Sequence, residues 1–222
     1  MRVVVTEVTD MTAGNHCVAA FNLDDRRMLR LLPDGGNWPS ALVQEYNLSP
    51  GSVLEVTLSG VPHNGSLPHS KEDARIVSTS IDAVEPPFRG WLNEQFISIY
   101  ESLGQAFSDH LEVSSSWKGC DKVFVAEGAN TSSLVGVGLD RNNFEFFEEN
   151  FGGNTKLRVR VDDESGCYNL AVTSTCFKKI YADGGLDALN RALPKSGKMH
   201  LRIGLARPMD GRCAVMLNGV NW

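Results

Sequence analysis

No apolar stretch in this chain approaches the roughly 20 residues needed to cross a bilayer. The opening ten residues follow a short apolar run at once with Glu7 and Asp10, which is neither a signal-peptide core nor a cleavage region. These absences predict a cytoplasmic protein with no membrane partner. The usual reaction-bearing patterns are missing too: no G-x-x-x-x-G-K-[ST], no G-x-S-x-G, no H-E-x-x-H, and no Rossmann glycine fingerprint after a first strand. The expectation is a non-enzymatic protein with no cofactor. Cys17, Cys120, Cys167, Cys176 and Cys213 form an odd set without a C-x-x-C pair or a repeated spacing, so no metal site is expected and the cysteines read as small core residues. Aromatic residues are only 8% of the chain, too few to supply a ladder of exposed stacking rings.

What is present is an ordinary globular composition, 42% hydrophobic and 22% charged over 222 residues, enough chain for one large β domain or two small ones. The charge is unevenly placed. Residues 1–150 hold 10 Lys+Arg against 21 Asp+Glu, and residues 151–222 hold 11 against 6. A positive C-terminal third on a protein of net charge −6 points to an anionic partner that is positioned locally, because the field of the whole molecule repels it.

Hydrophobic periodicity predicts a mostly β protein. In the first part, residues 2–9, 16–23, 27–32, 52–58 and 74–79 read as five strands, with a short helical insert over 38–46, the pattern of a small Greek-key barrel. Glu85-Pro86-Pro87 marks a boundary. After it, Leu92, Phe96, Ile99, Tyr100 and Leu103 recur at helical steps, with Gly104 as a stop. Strands are expected over 122–126 and 134–139, and Leu157 to Val161 with Tyr168 to Val172 read as a hairpin turning at Asp162 to Gly166. A helix over 177–193, interrupted at Gly184-Gly185 and closed by Pro194, precedes two more strands over 199–205 and 212–220. The organisation so predicted is an N-terminal OB-like barrel (1–84), a helical connector (85–118) and a C-terminal OB-like barrel (119–222), two tandem Greek-key barrels with a few short helices.

Several short motifs carry a family likeness: Thr6-Glu7-Val8-Thr9, His16-Cys17-Val18-Ala19-Ala20, Met28-Leu29-Arg30-Leu31, Gly51 to Val56, His69-Ser70-Lys71-Glu72-Asp73, Tyr168 to Thr173, and Ile203-Gly204-Leu205-Ala206-Arg207-Pro208. Together they resemble the prokaryotic dual OB-fold domain family across nearly the whole chain. Ala20 and Ser174 stand where that family is expected to carry Gly and Asp. The resemblance implies tandem OB barrels that bind nucleic acid in a bacterial or archaeal mobile-element or antiviral defence system.

The residues expected to contact nucleic acid are cations. Arg158, Arg160 and Arg202 are predicted to leave one outer side of the C-terminal barrel and to form a strip for phosphates. Lys178 and Lys179 open a helix behind Thr173-Ser174-Thr175, and Arg207 follows a strand end beside Pro208. Arg30 is the N-terminal candidate. With Thr6, Glu7, His69, Glu72 and Asp73 it has two readings, an acid, clamp and base set or a Glu7–Arg30 pair across neighbouring strands. Trp38, Trp91, Trp117 and Trp222 fall outside core periodicity, as buried anchors or as base platforms. The alternative function is a protein-interaction adaptor, whose basic face docks on an acidic partner from the same gene cluster.

Overall fold

The structure, a computed structural model, describes residues 1–59, 65–77, 81–85 and 99–222, apart from the side chains of residues 83–85, 117 and 151. The chain divides into two compact units, Met1–Ser98 and Ile99–Trp222. It is mostly β, with a sheet in each unit and few short helices. Among the described residues no helix is long and apolar enough to cross a membrane.

In the first unit the strands are β1 (Arg2–Asp10), β2 (Asn15–Asn22), β3 (Met28–Leu32), β4 (Trp38–Pro39), β5 (Val53–Glu55), β6 (Asp73–Arg75) and β7 (Asp82–Glu85), with α1 (Ser40–Glu45) between β4 and β5. Their order is β6-β3-β2-β1-β5-β7, and β4 pairs with β2. Among the described residues of this unit, only β3 and β6 run parallel. The chain beyond β5 then returns to the chain beyond β6, where Leu58 bridges Ile76 and Val77 N donates to Thr57 O at 2.9 Å. That pairing closes the ring.

Val3 and Val5 point into this barrel, and a bulge between Val5 and Glu7 resets the alternation so that Val8 points inward as well. Val18, Ala20, Leu29, Leu31, Leu54 and Ile76 complete the core. Each such side chain contributes about 1.5–3 kcal/mol when fully buried. Trp38 is one of the anchors, fully enclosed, with its indole N–H donating to Leu31 O at 2.7 Å.

The second unit holds β8 (Ile99–Tyr100), α2 (Leu103–Phe107), β9 (Leu111–Trp117), β10 (Cys120–Ala126), β11 (Leu134–Asp140), β12 (Phe144–Phe151), β13 (Asn154–Asp163), β14 (Gly166–Val172), α3 (Thr175–Ala192), β15 (Lys198–Leu205) and β16 (Arg212–Asn221). The sheet runs β12-β13-β14-β10-β16-β15-β11-β8. A short turn at Arg141–Asn143 joins β11 to β12, so they act as two halves of one bent strand, the first paired with β15 and the second with β13. This again closes a barrel. As in the first unit, one strand pair of the ring is parallel: Ala171 and Val172 of β14 face Met216 and Leu217 of β16.

The hairpin β9–β10 is an addition to that ring. Farther along β14, β10 enters between β14 and β16, meeting β14 at Asp121–Tyr168 and β16 at Phe124 to Ala126. Inside, Phe144, Phe146 and Phe177 pack edge to face with centroids 5.0 and 5.2 Å apart. Ser174 caps α3 by accepting from Phe177 N, and the helix is broken where expected, at Gly184 and Gly185 (φ +65°).

Three expectations need revision. Residues 99–118 form no separate connector, since β8 pairs with β11 and β9 with β10 inside the second unit. Of the helix expected over 92–104, residues 86–98 lie outside the described residues, Ile99 and Tyr100 are strand, and Leu103-Gly104 begin a helix, capped by Ser102, instead of ending one. The glycines of β11 explain the strand: a Cβ on Gly138 would stand 3.2 Å from Ile99 Cγ2. Finally, Cys120 and Cys167 are joined in a disulfide with Cα atoms 4.6 Å apart, and Cys176 is exposed, so Cys213 alone is both free and fully buried.

Candidate nucleic-acid interface

The register of β12, β13 and β14 decides what the second barrel shows to the outside. Phe146, Val159 and Leu170 align across the three strands and point into the core. Their neighbours therefore point outward: Phe147 opposite Arg158 opposite Ala171, and Glu145 opposite Arg160 opposite Asn169. Lys156 lies on the same side, opposite Glu149. From β10, whose Val123 and Val125 are core, Lys122 joins this outer face.

Glu149 organises the cations. Its carboxylate, 4% exposed, accepts from Arg158 Nε at 2.9 Å, from Lys122 Nζ at 2.6 Å and from Asn169 Nδ2 at 3.5 Å. Burial pushes the Glu149 carboxyl up, but the Lys122 hydrogen bond and the Arg158 charge outweigh it, and the group titrates below its ordinary range. Two cations share one carboxylate, so the cluster keeps a net positive charge. Arg160, 48% exposed, is paired at 2.9 Å with Asp162 two residues along the strand, an exposed pair of the kind worth roughly 0–1 kcal/mol. Between them lies an open cleft of about 210 Å³ lined by Lys118, Cys120, Glu145, Phe147, Glu148 and Arg160. Phe147 is half-buried there.

The sequence-predicted cations are not gathered on this face. Arg158 and Arg160 are on it. Arg202 is not a solvent-facing member of the strip: it is buried on β15, between Gly136 and Gly219 on the flanking strands, which leave room to enclose its side chain. The Asn221 amide, turned with its oxygen toward the guanidinium, accepts from Arg202 Nε at 3.1 Å. Lys178 and Lys179 sit in the first turn of α3, and Arg207 is half-buried in the connection between β15 and β16. Arg30 belongs to the other unit. Of the tryptophans, Trp38 is core, Trp222 is exposed at the C-terminus, and Trp91 and the Trp117 side chain lie outside what is described.

In the first barrel, register aligns Glu7, Ala19, Arg30 and Asp73 across β1, β2, β3 and β6 on the outer side, where Glu7 and Arg30 are nevertheless buried. Arg30 pairs with Asp73 at 3.0 Å, and Thr6 donates to Glu7. Burial works against the Arg30 charge, and Cys17 and Asp73 beside it more than compensate, raising its pKa. Glu7 and Arg30 are not on neighbouring strands, as expected from sequence, because β2 runs between them. His69 and Glu72, also buried, arrive just before β6.

No family model and no curated protein matches this chain. Among solved structures it is similar to a murine DNA binding protein bound with ds DNA, at 9% identity over 98% of this chain and 91% of that chain with a TM-score of 0.33. It is also similar to the p204 HINb domain, at 11% identity over 98% and 95% of the two chains, with a TM-score of 0.37. At such scores neither architecture nor ligand is transferred from those chains.

Sequence reasoning missed Glu149, Lys122, Lys156 and Phe147. The signal for Phe147 and Glu149 was available in residues 144–149, where Phe144, Phe146 and Glu148 alternate with Glu145, Phe147 and Glu149. Read as a strand beside β13, that segment puts an acidic edge against Arg158 and Arg160.

Proposed function

We propose that this protein binds nucleic acid through the outer face of β12, β13, β14 and β10 in its second barrel, and that it does so without a catalytic step. The observation that carries the reading is the placement of Lys122, Lys156, Arg158 and Arg160 on one outer face, among the carboxylates Glu145 and Glu149, with Lys118 and Arg160 lining the cleft at the half-buried Phe147. Cations track a phosphate backbone, and an aromatic face accepts any base. The face includes β13 and β14, the second and third strands of the ring, which are those that OB barrels use for oligonucleotides. The motif resemblance supports a setting in a prokaryotic defence or mobile-element system, in the cytoplasm.

The test is fluorescence anisotropy with labelled single- and double-stranded DNA and RNA across a salt series. The paired variant Lys156→Gln with Arg160→Gln alters two exposed side chains and should leave folding intact. It should weaken binding and flatten the log–log salt slope by about 1.4–1.8, the value for two lost phosphate contacts. Phe147→Ala should cost single strands about 1–3 kcal/mol. Absence of binding to all four probes at low salt overturns the reading.

A further inference from the structure

The disulfide is set into the same face. Cys120 begins β10 and lines the cleft with Lys118, Phe147 and Arg160, while its partner Cys167 lies on β14. Along this part of the hairpin, β10 meets β14 in one residue pair, Asp121–Tyr168, so the covalent bond is the main tie between the hairpin tip and the barrel wall. Lys118 and Lys122 flank Cys120 on that hairpin; the position of Lys118 depends on the tie, while Lys122 is held in addition by Glu149.

Two chemistries suit paired cysteines here. Cys120, Cys167 and Asp162 bring their ligand atoms within 4.8 Å of one another, as a metal site requires. Against a dication, Asp162 is already paired with Arg160, and Lys118 lines the same cleft. Lys118 and Arg160, which line the cleft together with Glu145 and Glu148, offer a cysteine thiolate cationic neighbours.

We propose that Cys120–Cys167 is a reversible thiol–disulfide exchange site whose reactant is a dithiol reductant, and that its state governs the nucleic-acid face. A thiolate of the dithiol attacks Sγ of Cys167, which is half-buried where Cys120 is buried. The S–S bond breaks, and Cys120 leaves as a thiolate in the cleft with Lys118 and Arg160. The second thiol of the reductant, deprotonated, then attacks its own sulfur in the mixed disulfide and releases Cys167. Two electrons and two protons pass to the protein, and the dithiol becomes a cyclic disulfide. The tip from Trp117 to Cys120 is then no longer covalently tied to β14, and Lys118 loses its fixed position, while Lys122 keeps its Glu149 partner.

The regulatory half rests on the proposed binding function; the exchange site does not. The experiment compares the full chain oxidised, the same chain reduced with dithiothreitol under native conditions, and the Cys167→Ser variant, with Cys120→Ala as a second variant if the first misfolds. Three free thiols should rise to five without unfolding, counted in denaturant after alkylation. Amide exchange in residues 111–123 should accelerate about tenfold while β11 and β15 stay protected. Oligonucleotide affinity should fall about tenfold, with a salt slope smaller by about 0.7–0.9, for one lost phosphate contact. Reduction that requires global unfolding, or a hairpin equally protected in both states, overturns the exchange site. A loosened hairpin with unchanged affinity overturns its control of binding. If neither form binds any nucleic acid, the binding reading falls, and thiol counts and amide exchange alone decide the site.

Discussion

Replacing Glu149 by Gln separates stability from binding. The substitution keeps the shape and an acceptor oxygen but removes the one negative charge shared by Arg158 and Lys122, whose side chains are 16% and 28% exposed. Breaking a buried pair by neutralising one partner costs roughly 3–5 kcal/mol. Lys122 keeps part of its hydration, so the cost should be near the lower end, about 3 kcal/mol at neutral pH. The folded Glu149 carboxyl titrates below its unfolded range, so its stabilisation is complete above the unfolded value, about 4.3, and is lost as pH falls through the folded value. Denaturant melts of the two proteins should therefore differ most at neutral pH and converge in acid. Binding should move the other way. With the carboxylate gone, two cations are left to phosphate, and at a temperature where both proteins are folded the variant should bind oligonucleotide more tightly, its salt slope steeper by up to about 1.4–1.8. Weaker binding by a folded variant would refute the reasoning, because it would mean that the carboxylate, and not the cations, sets affinity.

Two further outcomes concern the scaffold. Asp73→Ala leaves the Arg30 guanidinium, 5% exposed, without its 3.0 Å partner and should destabilise the first barrel by about 3–5 kcal/mol in chemical denaturation, with little effect on nucleic-acid affinity. Gly204→Ala puts a Cβ within 2.0 Å of Asn218 Nδ2, and Asn218 is buried and holds Thr173 Oγ1 at 2.8 Å, so thermal melts should show a loss of about 1–3 kcal/mol.

Strands whose apolar residues alternate cleanly were legible in the sequence: β13, β14 and β15 fall where the pattern put them, as do β1, β2 and β3 of the first barrel and the broken helix α3, whereas β5 keeps only Val53–Glu55 of the segment 52–58 and β6 is Asp73–Arg75 where 74–79 was expected, residues 78–79 lying outside the described ones. What the pattern could not show was which outward charges stay outside. Arg202 alternates with core residues as Arg158 does, yet it is enclosed, because its exposure depends on Gly136 and Gly219 in strands far along the chain. The charge division was misplaced for a related reason. Residues 99–150 hold three Lys+Arg against nine Asp+Glu and fold into the same barrel as the basic third, so Glu149 ends beside Arg158. Cys120 and Cys167 carry no spacing signal, since β10 and β14 meet only through tertiary structure. Hairpin β9–β10 was half seen, as an isolated strand, because Ser114-Ser115-Ser116 interrupts the alternation of β9.

The wedge that β10 drives into the second barrel fixes a timetable for its assembly. The slot it fills has β14 for one wall and β16 for the other, and β16 spans Arg212–Asn221. A chain made from its N-terminus exposes the hairpin about a hundred residues before that far wall exists, and for that interval Phe124 and the inner side chains of β10 have nowhere to settle. Synthesis or refolding should pass through a species whose barrel lacks its last stave, and any truncation near the C-terminus should strand the hairpin in it.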